Sequence, residues 1–386
     1  MSHINKILIT FILLFSANVA FSQILIPEKV KYGIVIDHYS GGILAEKNAD
    51  QKISPASLTK IMTAVVVFDL LKNKKISLKD QFSVSKKAVE ATRHGESKMF
   101  LMFNDKVSVD DLLKGLIIVS GVDAAIVLTE GISGNEESFI KLMNQKAKEI
   151  GMNNTNFDNS SGTYSKNNYS TVRDIAILSS YLINNYPKYY GYFSQKEFTW
   201  NKTGGEPIKQ ENRNTLLFSD DQIDGVKTGH LSDSKFSISV TKKIKNRRII
   251  AVISGLPTMA ARAESARIIL NTSINKIELF KLPYNKDFFS IKIWNGSSSS
   301  LFAKGRNDDG IFYNLSKNTK KPKITAEIEY DYPLEVPIKK NQRIGIINIY
   351  NKKQLIHSEE LFAAKDIGGQ NIFFRGLQNI NYYLWH

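Results

Sequence analysis

Ser57 and Lys60 stand three residues apart in Ser54-Pro55-Ala56-Ser57-Leu58-Thr59-Lys60, directly ahead of an apolar run over residues 61–71. Pro55 favours a helix start at this point, which puts both side chains on one face of the first turn. A serine hydroxyl is a weak nucleophile until a base takes its proton. A lysine amine can be that base when burial or a neighbouring cation lowers its pKa. The helix N-terminus adds a positive partial charge and free N–H groups, both suited to a developing oxyanion. The spacing alone is unspecific, because Ser83/Lys86, Ser138/Lys141, Ser232/Lys235 and Ser239/Lys242 share it. A solvated helix face accounts for any single copy.

Two more groups carry chemistry. Ser120-Gly121-Val122-Asp123-Ala124 falls between the end of one helical stretch and the start of the next. Asp224-Gly225-Val226-Lys227-Thr228-Gly229-His230 leads into the alternating Phe236-Ser237-Ile238-Ser239-Val240. At a sheet edge that segment would hold a cation, a hydroxyl and a backbone N–H beside a substrate. Lys202-Thr203-Gly204 repeats the tripeptide, but it runs into Gly205-Glu206-Pro207 with no alternating strand behind it. Lys202 is therefore read as a decoy.

The elements that must position these groups follow from periodicity. Residues 32–37 read as a strand turned back by Gly41-Gly42 into residues 43–45. Helical stretches are expected over 61–71, 110–121, 136–150, 174–184 and 260–277. Residues 234–240 and 249–254 alternate on either side of Lys245-Asn246, which predicts a hairpin. Strands at both ends with helices between them imply a layered α/β domain with a largely antiparallel sheet. Beyond residue 282 the pattern becomes all-β, with alternating stretches over 289–294, 324–330 and 344–350, so a small sandwich is expected there.

Composition narrows the class. With 386 residues, 42% hydrophobic and 23% charged, the chain is long enough for two domains with cores of their own. It contains no cysteine, which excludes disulfides, thiolate nucleophiles and Cys-ligated metal sites. The six histidines, at 3, 38, 94, 230, 357 and 386, show no ligand spacing, so neither a metal nor another cofactor is expected. Lys6 followed by the apolar run 7–15 and by Ala20-Phe21-Ser22 reads as a signal peptide over 1–22, too short and interrupted to span a bilayer. A membrane anchor is the rival reading of this segment. Without it the chain keeps 51 basic against 37 acidic residues, a charge of +14. On a secreted chain that charge points to anionic lipid headgroups or an acidic polymer, and the scattered lysines lack the aromatic-plus-basic pattern of nucleic-acid binding.

The three motifs, in this order and with these helix and strand contexts, form the set found in penicillin-interacting serine enzymes. Pro55-Ala56-Ser57-Leu58-Thr59-Lys60-Ile61-Met62-Thr63, Asn212-Arg213-Asn214 and the 224–230 block resemble those of the D-alanyl-D-alanine carboxypeptidases, the low-molecular-mass penicillin-binding proteins of serine peptidase family S11. Gln342-Arg343-Ile344-Gly345 resembles a stretch of that family's C-terminal β-rich domain. The resemblance implies a β-lactamase/transpeptidase-like domain over 23–282, a β-rich domain over 283–367 and an amphipathic tail over 368–386. It also implies the roles. Ser57 would attack the penultimate D-alanine carbonyl, Lys60 would take its proton, and Ser120 would pass protons to the leaving D-alanine. Lys227, Thr228 and Arg213 would bind the terminal carboxylate, and the backbone N–H groups of Ser57 and His230 would form the oxyanion hole. Peptidoglycan stem peptides ending in D-Ala-D-Ala and β-lactams are the implied partners.

One position departs from the family pattern. Its second motif reads Ser-x-Asn, whereas here the third residue is Val122. Valine cannot make the amide bonds to the lysine and the substrate backbone. Either an enzyme of slower or altered turnover follows, or a penicillin-binding protein that acts mainly as a binding module. Ser234-Lys235 likewise replaces a family Ala-Gly after the third motif. A β-lactamase is disfavoured because no Glu occurs from 151 to 196 to act as a deacylation base. In the tail, Phe373, Leu377, Ile380 and Leu384 make one apolar helical stripe. The resemblance implies that it lies on the outer face of the cytoplasmic membrane, which would make the protein periplasmic and peripheral. Packing against the β domain is the other reading of the stripe.

Overall fold

The computed structural model describes residues 26–92, 95–201, 205–330 and 334–370. Its first unit runs through Tyr284 and takes in Asn307–Thr319 as well. Its sheet has five antiparallel strands in the order Ile43–Lys47, Tyr32–Asp37, Arg247–Leu256, Lys235–Ile244, Ile223–Leu231. A strand from early in this unit and one from late in it thus pair inside the sheet, with Val35 opposite Ala251. The hairpin turns at Lys245-Asn246 as expected, with Lys245 in the left-handed region at φ 50°. Ile223–Leu231, the strand carrying Lys227, is left at the edge, with one side free of strand partners among the described residues.

The helices are set by caps and apolar periodicity. Ser108, Asn135, Thr171 and Thr258 each accept an N–H from the first turn of the helices Val109–Ile117, Glu136–Glu149, Val172–Asn185 and Met259–Lys276. Thr59–Lys72 is apolar nearly all round and is correspondingly buried on almost every side, the signature of a central helix. Phe68 on this helix packs against Tyr186, Tyr189, Tyr192 and Phe193. The stretch expected as one helix over 110–121 ends at Ile117. The chain breaks at Ser120, and a second helix, Val122–Ser133, begins at once. The break is what frees Ser120 from a helix interior.

Near residue 282 the chain divides less simply than its composition implies. Ile277–Pro283 pairs antiparallel with Gly310–Ser316, Ile277 opposite Ser316 and Pro283 opposite Gly310. Asn314 also bonds Ser40, and Asn307 Nδ2 donates to the Tyr39 carbonyl at 2.9 Å, so residues 307–319 belong to the first unit. The remaining unit is all-β, with strands in the order Ser290–Lys292, Ser300–Lys304, Gln354–Ala363, Arg343–Asn351, Ile324–Glu329. Alternate residues Ile347 and Ile349 point into its core with Leu301, Leu361 and Phe289.

Candidate active site

Pro55 leads into the 3-10 turn Ala56–Leu58, which runs without a gap into Thr59–Lys72. Ala56 takes φ 50°, a strained value for a residue with a Cβ, and the turn presents Ser57 half-exposed to an open cavity of about 680 Å³. Lys60 is 1% exposed. Its Nζ lies 3.1 Å from Ser57 Oγ and also donates to the Ser161 carbonyl. Burial lowers its pKa to about 7, against an opposing pull from the Asp123 carboxylate. The amine is thus held one turn from the hydroxyl, at a protonation balance where it can take a proton near neutral pH.

Ser120 sits at φ 66° between its two helices and lines the same cavity. Non-glycine residues rarely hold this conformation unless surrounding packing enforces it. Val122 is beside it on the wall, its N–H donating to the Ser97 carbonyl at 2.8 Å. The site therefore has an aliphatic surface at a point where an amide would have supplied both a donor and an acceptor.

The opposite wall is the edge strand. Thr228, Gly229 and His230 line the cavity. A Cβ on Gly229 would meet Ser237 Oγ at 2.5 Å and the Pro55 carbonyl at 3.1 Å, so the missing side chain is what lets this strand close on the serine turn. The His230 ring stacks on Phe236 at 4.1 Å, which leaves its backbone as the part beside the serine turn. Lys227 is 2% exposed and covered rather than lining the cavity. Its pKa falls well below the ordinary lysine value through burial, and through the charges of Lys60, Arg262 and Arg213. Arg213 is brought out to the cavity by its neighbours: Asn212 bonds the Gln195 carbonyl at 2.9 Å and Asn214 the Gly225 carbonyl at 3.3 Å.

Three contributors escape sequence reasoning. Arg262, on the helix Met259–Lys276, is 4% exposed, lines the cavity, and donates to the Arg213 carbonyl at 3.3 Å. Burial lowers its pKa to about 10. Ser161 fixes the lysine through its carbonyl, a backbone role that no side-chain pattern reveals. Asp123, 1% exposed, accepts N–H bonds from Met99 and Leu101 at 2.9 and 3.2 Å. It was legible only as the residue after Ser120-Gly121-Val122. Lys202 lies outside the described residues.

A serine touching a buried lysine at the head of a central helix, facing the edge strand of an antiparallel sheet, fits an active-serine acyl-transfer protein. The chain belongs to the D-alanyl-D-alanine carboxypeptidase family, whose profile matches residues 27–258. Residues 281–368 match the C-terminal domain of penicillin-binding protein 5. The D-alanyl-D-alanine carboxypeptidase DacA of Haemophilus influenzae is 36% identical over 344 residues, covering 88% of this chain and 86% of the relative. DacC of Escherichia coli is 37% identical over 350 residues, covering 89% and 85%. The crystal structure of penicillin-binding protein 5 from Haemophilus influenzae superposes with a TM-score of 0.76 at 34% identity, covering 88% of this chain and 98% of that one.

Gly162 gives the site a sharp test. It takes φ 76°, and a Cβ there would lie 1.9 Å from the Ala56 carbonyl, inside the serine turn. Gly162→Ala is expected to destabilise the protein by about 1–3 kcal/mol through this clash and the φ penalty. It should also slow Ser57 labelling by a fluorescent penicillin. Thermal melting and labelling rates check both, and a wild-type rate would mean that the turn does not depend on this contact.

Proposed function

We propose that the protein is a serine D-alanyl-D-alanine carboxypeptidase that removes the terminal D-alanine from peptidoglycan stem peptides. The observation that carries this reading is the 3.1 Å contact between Lys60 Nζ and Ser57 Oγ, made by an amine whose pKa is lowered to about 7. The neutral amine of Lys60 takes the hydroxyl proton as Ser57 Oγ attacks the penultimate D-alanine carbonyl. The oxyanion that forms is held by the backbone N–H groups of Ser57 and His230. Lys60 returns the proton through Ser120 to the departing amine, the C–N bond breaks and D-alanine leaves. Water then attacks the ester on Ser57, with the Lys60/Ser120 pair taking its proton, and the shortened peptide is released. A β-lactam acylates the same serine by ring opening.

The substrate's free carboxylate needs cations, and charge-assisted bonds supply both strength and direction. Arg213, Thr228 and Arg262 face the cavity, and Lys227 lies buried behind them in the strand. The same family match supports the wider setting. Export through the signal peptide at 1–22 would place the enzyme in the periplasm, and the apolar stripe of the tail would lay it on the outer face of the cytoplasmic membrane. Both segments lie outside the described residues. Among the described residues, no helix is long and apolar enough to cross a membrane.

The reading is tested by incubating the purified protein with a diacyl peptide ending in D-Ala-D-Ala and assaying free D-alanine. Release is expected from the wild type and none from Ser57→Ala. Labelling by penicillin without any release would replace the enzyme by a binding protein. Because the base is neutral Lys60, acylation should fall as pH drops below about 7, by roughly tenfold per unit. Acylation rates between about pH 5 and 8 check this; a flat profile would remove Lys60 as base. Val122→Asn should raise the acylation rate by roughly tenfold or more if the aliphatic wall costs the reaction an orienting amide.

A further inference from the structure

The all-β unit gathers positive charge at one end of its sheet. The strands Arg343–Asn351 and Gln354–Ala363 join through Lys352-Lys353, a two-residue turn with Lys352 in the left-handed region at φ 60°. Ile324–Glu329 starts at the same end, with Ile324 opposite Asn351. Its entry is tied to the turn. The Lys352 N–H donates to the Lys323 carbonyl at 2.7 Å, and the Lys323 N–H donates to Asn351 Oδ1 at 3.1 Å. Lys321, Lys323, Lys352 and Lys353 are thus neighbours at one end of the sheet, and all four are exposed. None of them makes an ion pair among the described residues, although Arg343 on the same sheet is paired with Glu360. Two ordinary explanations fall short. Lysines along an edge strand discourage pairing with another chain, but Ile324–Glu329, the edge strand here, carries none. An evenly basic surface would mix its charges, as the opposite end of the unit does. There Lys339, Lys340 and Lys365 stand with Glu335 and Asp366, and Asp366 accepts the Lys340 N–H at 2.6 Å.

We propose that this lysine end of the β-rich unit is a docking surface for the carboxylates of the peptidoglycan polymer, which it grips independently of the serine cavity. The inference rests on the carboxypeptidase reading, which supplies the polymer. Position decides against a lipid surface. The strand Gln354–Ala363 runs ten residues away from the lysine turn, about 30 Å. The chain leaves the unit at that far end, where Ile367 bridges Ile338 and Gly369 bridges Gly296. A tail anchored on a membrane from there leaves the lysine end some 30 Å from its root. The wall polymer is the anion that meets it, and its charge repeats, because each uncross-linked stem ends in a free carboxylate. Single exposed ion pairs are weak, but several engaged at once along a repeating polymer add up to retention.

Co-sedimentation of the full chain with purified peptidoglycan sacculi tests the proposal. Lys321→Gln, Lys323→Gln, Lys352→Gln and Lys353→Gln combined are expected to weaken retention about tenfold at low salt. A matched set at the other end, Lys292→Gln, Lys339→Gln, Lys340→Gln and Lys365→Gln, should change it by less than about twofold. Wild-type retention should also collapse when salt is raised to about 0.5 M, or when the carboxylates of the sacculi are amidated beforehand. Release of D-alanine from a small diacyl peptide should keep its wild-type rate in both sets, since none of these lysines lines the cavity. Equal loss from the two sets would reduce the effect to net charge and overturn the surface. Undiminished retention by the first set overturns it as well. So does a first set that keeps its hold on sacculi but loses binding to phosphatidylglycerol vesicles, which would assign the lysines to lipid. The small peptide reports on the carboxypeptidase reading separately, so a failure of either is seen apart from the other.

Discussion

The site depends on one unfavourable act, the burial of the Lys60 amine. In water the group would be a cation and useless as a base; at 1% exposure it carries a pKa of about 7. That burial has to be enforced by everything around it. The helix Thr59–Lys72 is apolar on nearly all sides, so it can only be central, and its first turn is central with it. The Ser161 carbonyl gives the amine a fixed partner, and Gly162 brings that segment into contact with the serine turn. The same burial acts on Lys227, whose pKa is pushed well below the ordinary lysine value by its own desolvation and by the charges of Lys60, Arg262 and Arg213. At Lys60 the Asp123 carboxylate opposes the desolvation, which keeps the amine from losing its proton altogether.

The two walls are built on different principles. The strand Ile223–Leu231 offers a hydroxyl at Thr228 and the free side of an edge, with Arg213 and Arg262 beside it, features that suit a carboxylate and an extended peptide backbone. The helical wall offers Val122 and Phe100 among the polar residues Glu96, Ser97, Lys98 and Ser120. The proposed substrate peptide would meet cations beside the strand and the aliphatic Val122 on the opposite wall. Loss of an amide at Val122 shifts more of the positioning onto the strand. Affinity for the carboxylate then has a larger share in setting the attack geometry.

Local parts of this arrangement were legible in the sequence, and long-range parts were not. The Ser57/Lys60 spacing and the hairpin at Lys245-Asn246 each depend on a few neighbouring residues and show directly, whereas the helix expected over 110–121 ends at Ile117, before Ser120. The ground for setting the copy at Lys202 aside does not hold, because Ile208–Glu211 follows it as a short strand paired with Glu197–Trp200. Arg262 belongs to a helix whose sequence speaks only of its own amphipathicity; its approach to Arg213 is decided by how that helix crosses the sheet. The Ser161 carbonyl is a backbone atom, and backbone atoms leave no compositional trace. The pairing of Ile277–Pro283 with Gly310–Ser316 skips the strands between them, so a boundary drawn where composition changes could not include it.

That skipped pairing bears on how this molecule could be taken apart. The chain leaves the first unit after Tyr284, returns for Asn307–Thr319 and leaves again, so the units are interleaved along the polypeptide. Cutting the gene at residue 284 would strip Gly310–Ser316 from its partner and bare the strand Ile277–Pro283, a raw edge that invites self-association. Recombination that shuffles whole modules would therefore have to carry the returning strand with the catalytic half, or supply a substitute for it.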